Sequence, residues 1–260
     1  MLGGRHSGRG TENAIIRFGP DYLELISVHN ERLGRSVGGN VLDLINYLRA
    51  HSGGGLGFAI EVLGLDALAS AWSPDLPPAL GPFPMERIRS NGERLSWRLL
   101  VPGASAWRRP WPFFIEWDTP VDERLEPDWP AHHPNGASSV AGVGVVVRDV
   151  SEPLKLYVRH LGFTIEHRSV DDPTVGARRT RLALGGFHVD LLQPTGPGPA
   201  LSALEREGEG LFQVDLKVSD LGLARARSGA VKASDDSVLV SPSAACGVRL
   251  MFRSPRKVTH

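Results

Sequence analysis

An internal repeat constrains the fold of this chain more than any other feature of its sequence. One order of elements recurs, a strand, a helix and then three strands, and repeats of this kind determine an architecture. The junction between opening strand and helix aligns at residues 62–66, 147–151 and 218–222. The closing strands align at Leu23-Glu24-Leu25, Ile115-Glu116-Trp117, Val189-Asp190-Leu191 and Leu250-Met251-Phe252. The repeat predicts an α+β fold of tandem βαβββ modules.

The spacing of apolar residues predicts the individual elements. Strands are predicted at 13–19 and 21–28, with a turn at Gly19-Pro20, and helices at 41–50 and 221–228. The Pro-rich stretch 74–84 is predicted as a connection, and 121–137 as a linker. The chain is therefore expected to form two domains, 1–125 and 138–260, each made of one pair of modules.

The first module is predicted to lack its opening strand and helix, because four closing strands match only three opening pairs. An opening strand lies in the middle of its sheet, so its loss leaves an uncovered edge. We therefore expect the chain to be an incomplete copy of a longer protein, or to have the gap filled by a partner subunit, as in a homodimer.

Charge and composition exclude several classes of function. Lys plus Arg and Asp plus Glu both number 29, so no net charge draws the chain to nucleic acid or to an anionic membrane. The single cysteine, Cys246, excludes an internal disulfide and is consistent with a cytoplasmic protein. The sequence contains no nucleophile elbow, phosphate-binding loop or dinucleotide fingerprint.

Four short motifs, together with the βαβββ order, carry a family resemblance. They are 4–13 (GRHSGRGTEN), 22–26 (YLELI), 112–117 (PFFIEW) with 133–137 (HPNGA), and 242–250 (PSAACGVRL). Together they resemble the glyoxalase-like domain family of the vicinal oxygen chelate superfamily. The resemblance implies that paired modules form cupped sheets, and that a divalent metal ion or a substrate sits in each cup.

The resemblance also implies which residues do the work. In the first cup, Glu24 and Glu116 occupy the two carboxylate positions, as catalytic groups and as ligands of one divalent metal ion. The alternative is that both are polar lining groups that hydrogen-bond a ligand or each other. Gly142 and Met251 stand at two ligand positions of the second cup, where only Asp190 and Gln213 remain, so that cup is expected to bind no metal.

Further residues are candidates for substrate binding. His6, Thr11 and Asn13 are expected on a loop over the mouth of the first cup, and Trp117 beside Glu116 is expected to line it. A partly desolvated Glu24 would serve as a general base. The residues Arg178, Arg179 and Arg181 are interpreted as a solvated strand edge, and His188 as a structural partner of Asp190.

The leading functional prediction is a glyoxalase-like enzyme, of the lyase, isomerase or dioxygenase type, that acts on a small organic molecule in the first cup. The first alternative is a non-catalytic protein that binds and sequesters a small molecule. The second is a degenerate member that only folds.

Overall fold

The structure is a computed structural model, and it describes residues 3–89, 91–125 and 133–254. The chain forms two compact units. The first contains residues 1–52 and 57–129, and the second contains residues 53–56 and 130–260. Each unit is built around one sheet.

The first sheet has seven strands in the order β3-β2-β1-β5-β6-β7-β4. The strands are β1 (Gly4–His6), β2 (Thr11–Phe18), β3 (Asp21–Val28), β4 (Ala59–Glu61), β5 (Ala79–Arg89), β6 (Arg94–Pro102) and β7 (Phe113–Trp117). The opening strand β4 runs parallel to its closing strand β7, and the other neighbours are antiparallel. The edge strands are β3 and β4.

Strand β5 forms where the sequence predicted a Pro-rich connection. Its prolines are tolerated because only part of the strand has two neighbours: β1 pairs with Arg87, Ile88 and Arg89 alone. The register with β6 shifts between Leu80 and Phe83. Proline lacks an N–H donor and is found at such edges and bulges.

The helices of the first unit are α1 (Glu31–Val37), α2 (Gly39–Ala50), α3 (Leu65–Ser70) and α4 (Val121–Leu125). The side chain of Asn30 caps α1 by accepting a hydrogen bond from the backbone N–H of Leu33. Helix α3 packs on β5, β6 and β7, with Leu65 fully buried. Among the residues described, no helix is long and apolar enough to cross a membrane.

The second sheet has eight strands in the order β13-β14-β15-β12-β8-β11-β10-β9. They are β8 (Ala137–Val146), β9 (Thr164–Asp172), β10 (Ala177–Leu184), β11 (Phe187–Pro194), β12 (Gly210–Val218), β13 (Val231–Ser234), β14 (Ser237–Val240) and β15 (Arg249–Arg253). The opening strands β8 and β12 pair antiparallel at the centre, and each pairs parallel with its closing strand, β11 or β15. This confirms the predicted fold class of βαβββ modules paired into two cupped sheets.

The helices of the second unit are α5 (Ser151–Leu154), α6 (Pro199–Glu207) and α7 (Leu221–Ser228). Helix α5 continues into a π-helical turn, Lys155–His160, with a hydrogen bond from the N–H of Leu161 to the carbonyl of Leu156. The prediction for α7 matches the structure, whereas α6 and β13 were not predicted. The predicted linker 121–137 contains α4 and the start of β8, and its residues 126–132 lie outside the described residues.

Candidate functional site

One face of the first sheet carries a cluster of aromatic and polar side chains, and we call it the inner face of the first sheet. Trp97 and Trp117 are opposite each other on β6 and β7, with ring centroids 5.0 Å apart. The ring of His6 approaches Trp97 edge-on, at 6.1 Å between centroids. Buried His6 shares a hydrogen bond of 2.8 Å with the hydroxyl of buried Thr11. The cluster therefore joins β1, β2, β6 and β7.

Glu24 lies at one side of this cluster and is held by Asn13. The Asn13 amide nitrogen donates a 2.6 Å hydrogen bond to Oε1 of Glu24. The Asn13 carbonyl oxygen in turn accepts from the backbone N–H of Gly4 at 2.9 Å and from the guanidinium of Arg87 at 3.2 Å. These bonds orient the Glu24 carboxylate toward His6, whose Nε2 is 3.8 Å from Oε1.

Buried arginines give the inner face of the first sheet a cationic character. Arg17 and Arg87 each expose 1% of their surface. Burial and the neighbouring Glu24 raise the pKa of Tyr22, and the charges of Arg87 and Arg17 oppose that rise. Burial lowers the pKa of His6 more than Glu24 raises it, so its imidazole is neutral at pH 7. The site thus combines one carboxylate, one neutral imidazole and fixed positive charge.

Glu116 lies on the opposite face of the same sheet. It is adjacent to Trp117 in β7, and successive residues of a strand point to opposite faces. Its carboxylate accepts a 2.6 Å hydrogen bond from the backbone N–H of Gly64 and forms an ion pair with Arg98. The Gly64 bond, with that from Leu65 and the Arg98 charge, holds the pKa of Glu116 below its ordinary value. Glu116 anchors the start of α3.

The structure therefore brings together five of the six predicted site residues and separates the sixth. His6, Thr11, Asn13 and Glu24 lie close together, and Trp117 joins them through Trp97. His6, Thr11 and Asn13 belong to strands β1 and β2 and not to a loop. The separation of Glu116 was open to prediction, because adjacent residues such as Glu116 and Trp117 cannot both face one cup.

The first cup does not fit a metal centre built on Glu24 and Glu116, because the two carboxylates face opposite sides of the sheet. Arg17 and Arg87 are the residues that the sequence analysis overlooked at this site. The signal for them was weak, since a charged residue in a strand most often faces solvent.

The second sheet carries its polar side chains at two adjacent levels of one face, which we call the inner face of the second sheet. One level contains Gly144, Asp190, Gln213 and Arg249, and the next contains Gly142, His188, Asp215 and Met251. The four positions taken from the family pattern, 142, 190, 213 and 251, share this face but are split between the levels.

The imidazole ring of His188 fills the space above Gly142. A Cβ atom at Gly142 would lie 2.5 Å from three ring atoms of His188. The ring bonds to Asp215 at 2.9 Å, and not to Asp190 as predicted. Arg253 also donates to Asp215, at 2.5 Å. Burial opposes ionisation of Asp215, but the bonds from His188 and Arg253 outweigh it and hold the pKa below its ordinary value.

His188, Asp190 and Asp215 offer ligand atoms within 4.8 Å of one another, which is close enough to surround a metal ion. Their lone pairs are nevertheless engaged. Arg181 donates two hydrogen bonds to Asp190, at 2.7 and 2.6 Å, and Arg253 is bound to Asp215. Each carboxylate already has an arginine as its counter-ion, which a metal ion would have to displace, so the trio as arranged does not fit a metal centre.

Two of the three arginines interpreted as a solvated edge face this polar layer. Strand β10 lies between β9 and β11, so it is not an edge. Arg181 is opposite Asp190 and Arg179 is opposite Leu192, while Arg178 points the other way and pairs with Asp171. The expectation of a solvated strand edge was wrong. Side chains alternate along a strand, so Arg178 alone faces away from the polar layer, and Arg179 and Arg181 face it.

The chain is similar to one family of known sequences and to several solved structures. The sequence model of the glyoxalase-like domain family matches residues 1–161. No curated protein matches the chain. A solved structure of a hypothetical protein from Staphylococcus aureus is similar at 15% identity and a TM-score of 0.64, covering 98% of this chain and 89% of that one. At this identity the similarity shows the fold alone.

Smaller solved structures resemble about half of the chain. One is methylmalonyl-CoA epimerase from Mycobacterium tuberculosis, at 22% identity and a TM-score of 0.42, covering 50% of this chain and 93% of that one. Another is a hypothetical protein from Bacillus halodurans, at 19% identity and a TM-score of 0.40, covering 47% of this chain and 97% of that one.

Proposed function

The chain belongs to the glyoxalase-like domain family, and from this premise we propose that it binds a small organic molecule on the inner face of the first sheet and transfers a proton to or from it through Glu24. The observation that carries the proposal is the hydrogen bonding and the solvent exposure of the Glu24 carboxylate. Asn13 holds Oε1, and Oε2 receives no hydrogen bond from any residue in the described ranges. About a third of the side chain, 34%, is open to solvent.

Each neighbour of Glu24 has a role in this proposal. Asn13, itself fixed by Arg87 and Gly4, orients the carboxylate. Glu24 takes a proton from a carbon beside a carbonyl group, and the buried cations favour the negative charge that develops on the carbonyl oxygen. Protonated Glu24 then returns this proton to the substrate, either directly or by passing it to Nε2 of neutral His6, 3.8 Å from Oε1, which donates it in turn. The Trp97 and Trp117 rings supply an apolar wall for the substrate. This is the chemistry of an isomerase or a lyase.

The experiment follows exchange of carbon-bound protons by NMR in D₂O, with a panel of small ketones, 2-oxo acids and 2-hydroxy acids. Wild-type protein should catalyse exchange into at least one compound. Glu24→Gln should slow that exchange by about 10²–10⁴-fold, the usual contribution of a positioned base. Glu116→Gln is the matched control and should retain the wild-type rate within about twofold, since Glu116 faces the other side of the sheet.

A second candidate is non-catalytic binding of a small molecule, and a specific observation favours it. Glu116 is committed to α3 on the opposite face, and Glu61 on the inner face is paired with Arg124, so neither completes a metal centre or an acid–base pair with Glu24. Binding without exchange, detected as a raised melting temperature that Glu24→Gln abolishes, would support this candidate over catalysis. If no compound of the panel binds and none exchanges its protons, both candidates are contradicted.

A further inference from the structure

The second unit contains a cavity of about 490 Å³. This volume falls within the range of small-molecule sites in proteins, roughly 300–1,000 Å³. Its floor is the inner face of the second sheet at Gly144, Asp190 and Gln213, and its apolar surface comes from Leu192, Leu239 and Met251. All of its lining residues belong to the second unit, between 144 and 253.

Four aspartates line this cavity, Asp171, Asp172, Asp190 and Asp236, and with them four arginines, Arg179, Arg181, Arg249 and Arg253. Two of the arginines are neutralised at close range, Arg181 by Asp190 and Arg253 by Asp215. Arg179 is held more loosely, with its nearest carboxylate oxygens at 3.4 Å on Asp172 and 4.0 Å on Asp190. Its buried Nε has no hydrogen-bond partner among the described residues.

Arg249 differs from the other three because no carboxylate in the described part of the chain lies within ion-pair distance of it. Its Nε donates a 3.3 Å hydrogen bond to the side-chain oxygen of Gln213, and its guanidinium lies 5.2 Å from the ring centre of Phe212. The terminal nitrogens make no hydrogen bond to the residues described. Burial lowers the pKa of Arg249, and the charges of Asp172 and Asp215 oppose that fall.

We infer that this cavity is a binding site for a small amphipathic organic anion, whose carboxylate or phosphate group is held by Arg249 with Arg179. A guanidinium binds such groups through two parallel hydrogen bonds, and the terminal nitrogens of Arg249 are the donors available for them. The apolar side chains Leu192, Leu239 and Met251 accommodate the organic part. Asp190 and Asp215, being already paired, do not repel the incoming anion at full strength.

The test uses the full chain and three probes of similar size: phenyl phosphate, benzoate and uncharged benzyl alcohol. Calorimetry should detect phenyl phosphate or benzoate, and not benzyl alcohol at the same concentration. Affinity should fall as the salt concentration rises. Hydrogen exchange should slow in β12 and β15, which carry Gln213 and Arg249.

Two variants separate a specific site from a general charge effect. Arg249→Gln should weaken anion binding roughly tenfold to a hundredfold, the effect of losing charge-assisted hydrogen bonds. Arg225→Gln is the matched control, because it removes the same charge from an exposed position of α7 that does not line the cavity, and it should change affinity less than about twofold. If Arg249→Gln does not fold, Arg179→Gln replaces it, with an expected loss of severalfold.

The inference is overturned if benzyl alcohol binds as tightly as the anions, or if Arg225→Gln weakens binding as much as the cavity variants. It is also overturned if neither anion binds at millimolar concentration. Exchange protection confined to the first unit would equally contradict it.

Discussion

Gly142 lies beneath the imidazole ring of His188, and replacing it with alanine tests whether that contact supports the second sheet. The added Cβ would stand 2.5 Å from three atoms of the ring, which is closer than such contacts allow. The backbone of β8 is fixed by its pairing with β11 and β12, so the ring is the part that must move. Moving it breaks the 2.9 Å bond between His188 and Asp215.

The expected loss follows from the chemistry of that bond. A hydrogen bond to a charged group contributes about 1.5–3 kcal/mol to the free energy of unfolding. Alanine is favoured over glycine within a strand by about 0.5–1 kcal/mol. Gly142→Ala should therefore destabilise the second unit by about 0.5–2.5 kcal/mol. In a His188→Ala background the clash is gone, and the same change should be neutral or slightly stabilising. The coupling energy between the two sites should be about 1.5–3 kcal/mol.

The assay is amide hydrogen exchange in increasing urea, resolved to β8, β11 and β12. This readout is needed because the second unit contains no tryptophan among its described residues, whereas the first unit contains Trp72, Trp97, Trp107, Trp111 and Trp117. Gly196→Ala is the control, since a Cβ there meets no atom within 4 Å, and it should not destabilise. The reasoning is refuted if Gly142→Ala costs the same with and without His188.

Three further predictions concern single groups. Glu116→Gln should lower the unfolding free energy of the first unit by about 1 kcal/mol, the size of a helix-cap contribution, measured by tryptophan fluorescence in urea; an unchanged midpoint would contradict its role at α3. Because the folded pKa of Asp215 is depressed, its contribution to stability is complete above its unfolded pKa of about 3.9 and is lost as the pH falls below that value. The protection factor of β12, which corrects for the slower intrinsic exchange at low pH, should therefore fall as the pH drops below about 3.9, more steeply in wild type than in Asp215→Asn, and equal slopes would disprove the assignment. Finally, the second unit should retain far less than one zinc ion per chain after equilibration and dialysis, because Arg181 and Arg253 engage its carboxylates; one tightly held ion that is lost in His188→Ala would contradict this.

Much of the architecture could be predicted because it depends on local periodicity. The alternation in 21–28 and the helical spacing in 221–228 gave elements with the bounds that the structure shows. The predictions that were wrong concern segments whose structure depends on partners distant in sequence. Strand β5 tolerates its prolines because of how far β1 and β6 extend beside it, and no local pattern contains that information.

The candidate site was predicted unevenly for a similar reason. Alternation indicates that Glu24 points away from Leu23 and Leu25, but which of the two faces is the inner one depends on the pairing of β2 with β1 and β3. Asp215 was not predicted because its partner Arg253 lies 38 residues away in the sequence, and no local pattern connects the two. The family pattern assigned Glu116 to the first cup together with Trp117. The alternation of side chains along a strand already placed these two neighbours on opposite faces.

The π-helical turn at Lys155–His160 has a consequence for the history of the chain. A π turn holds one more residue than the α-helical turn it replaces. The helix of the third module, which runs from β8 to β11, is therefore one residue longer than a regular α-helix of the same extent. Leu156 and Tyr157, neighbours in sequence, are both fully buried within it. Removing one residue would restore an α-helix and rotate one of these side chains out of the core. We therefore expect alignments of related sequences to place a one-residue gap here, and chains carrying that gap to have a smaller or polar residue in place of Leu156 or Tyr157.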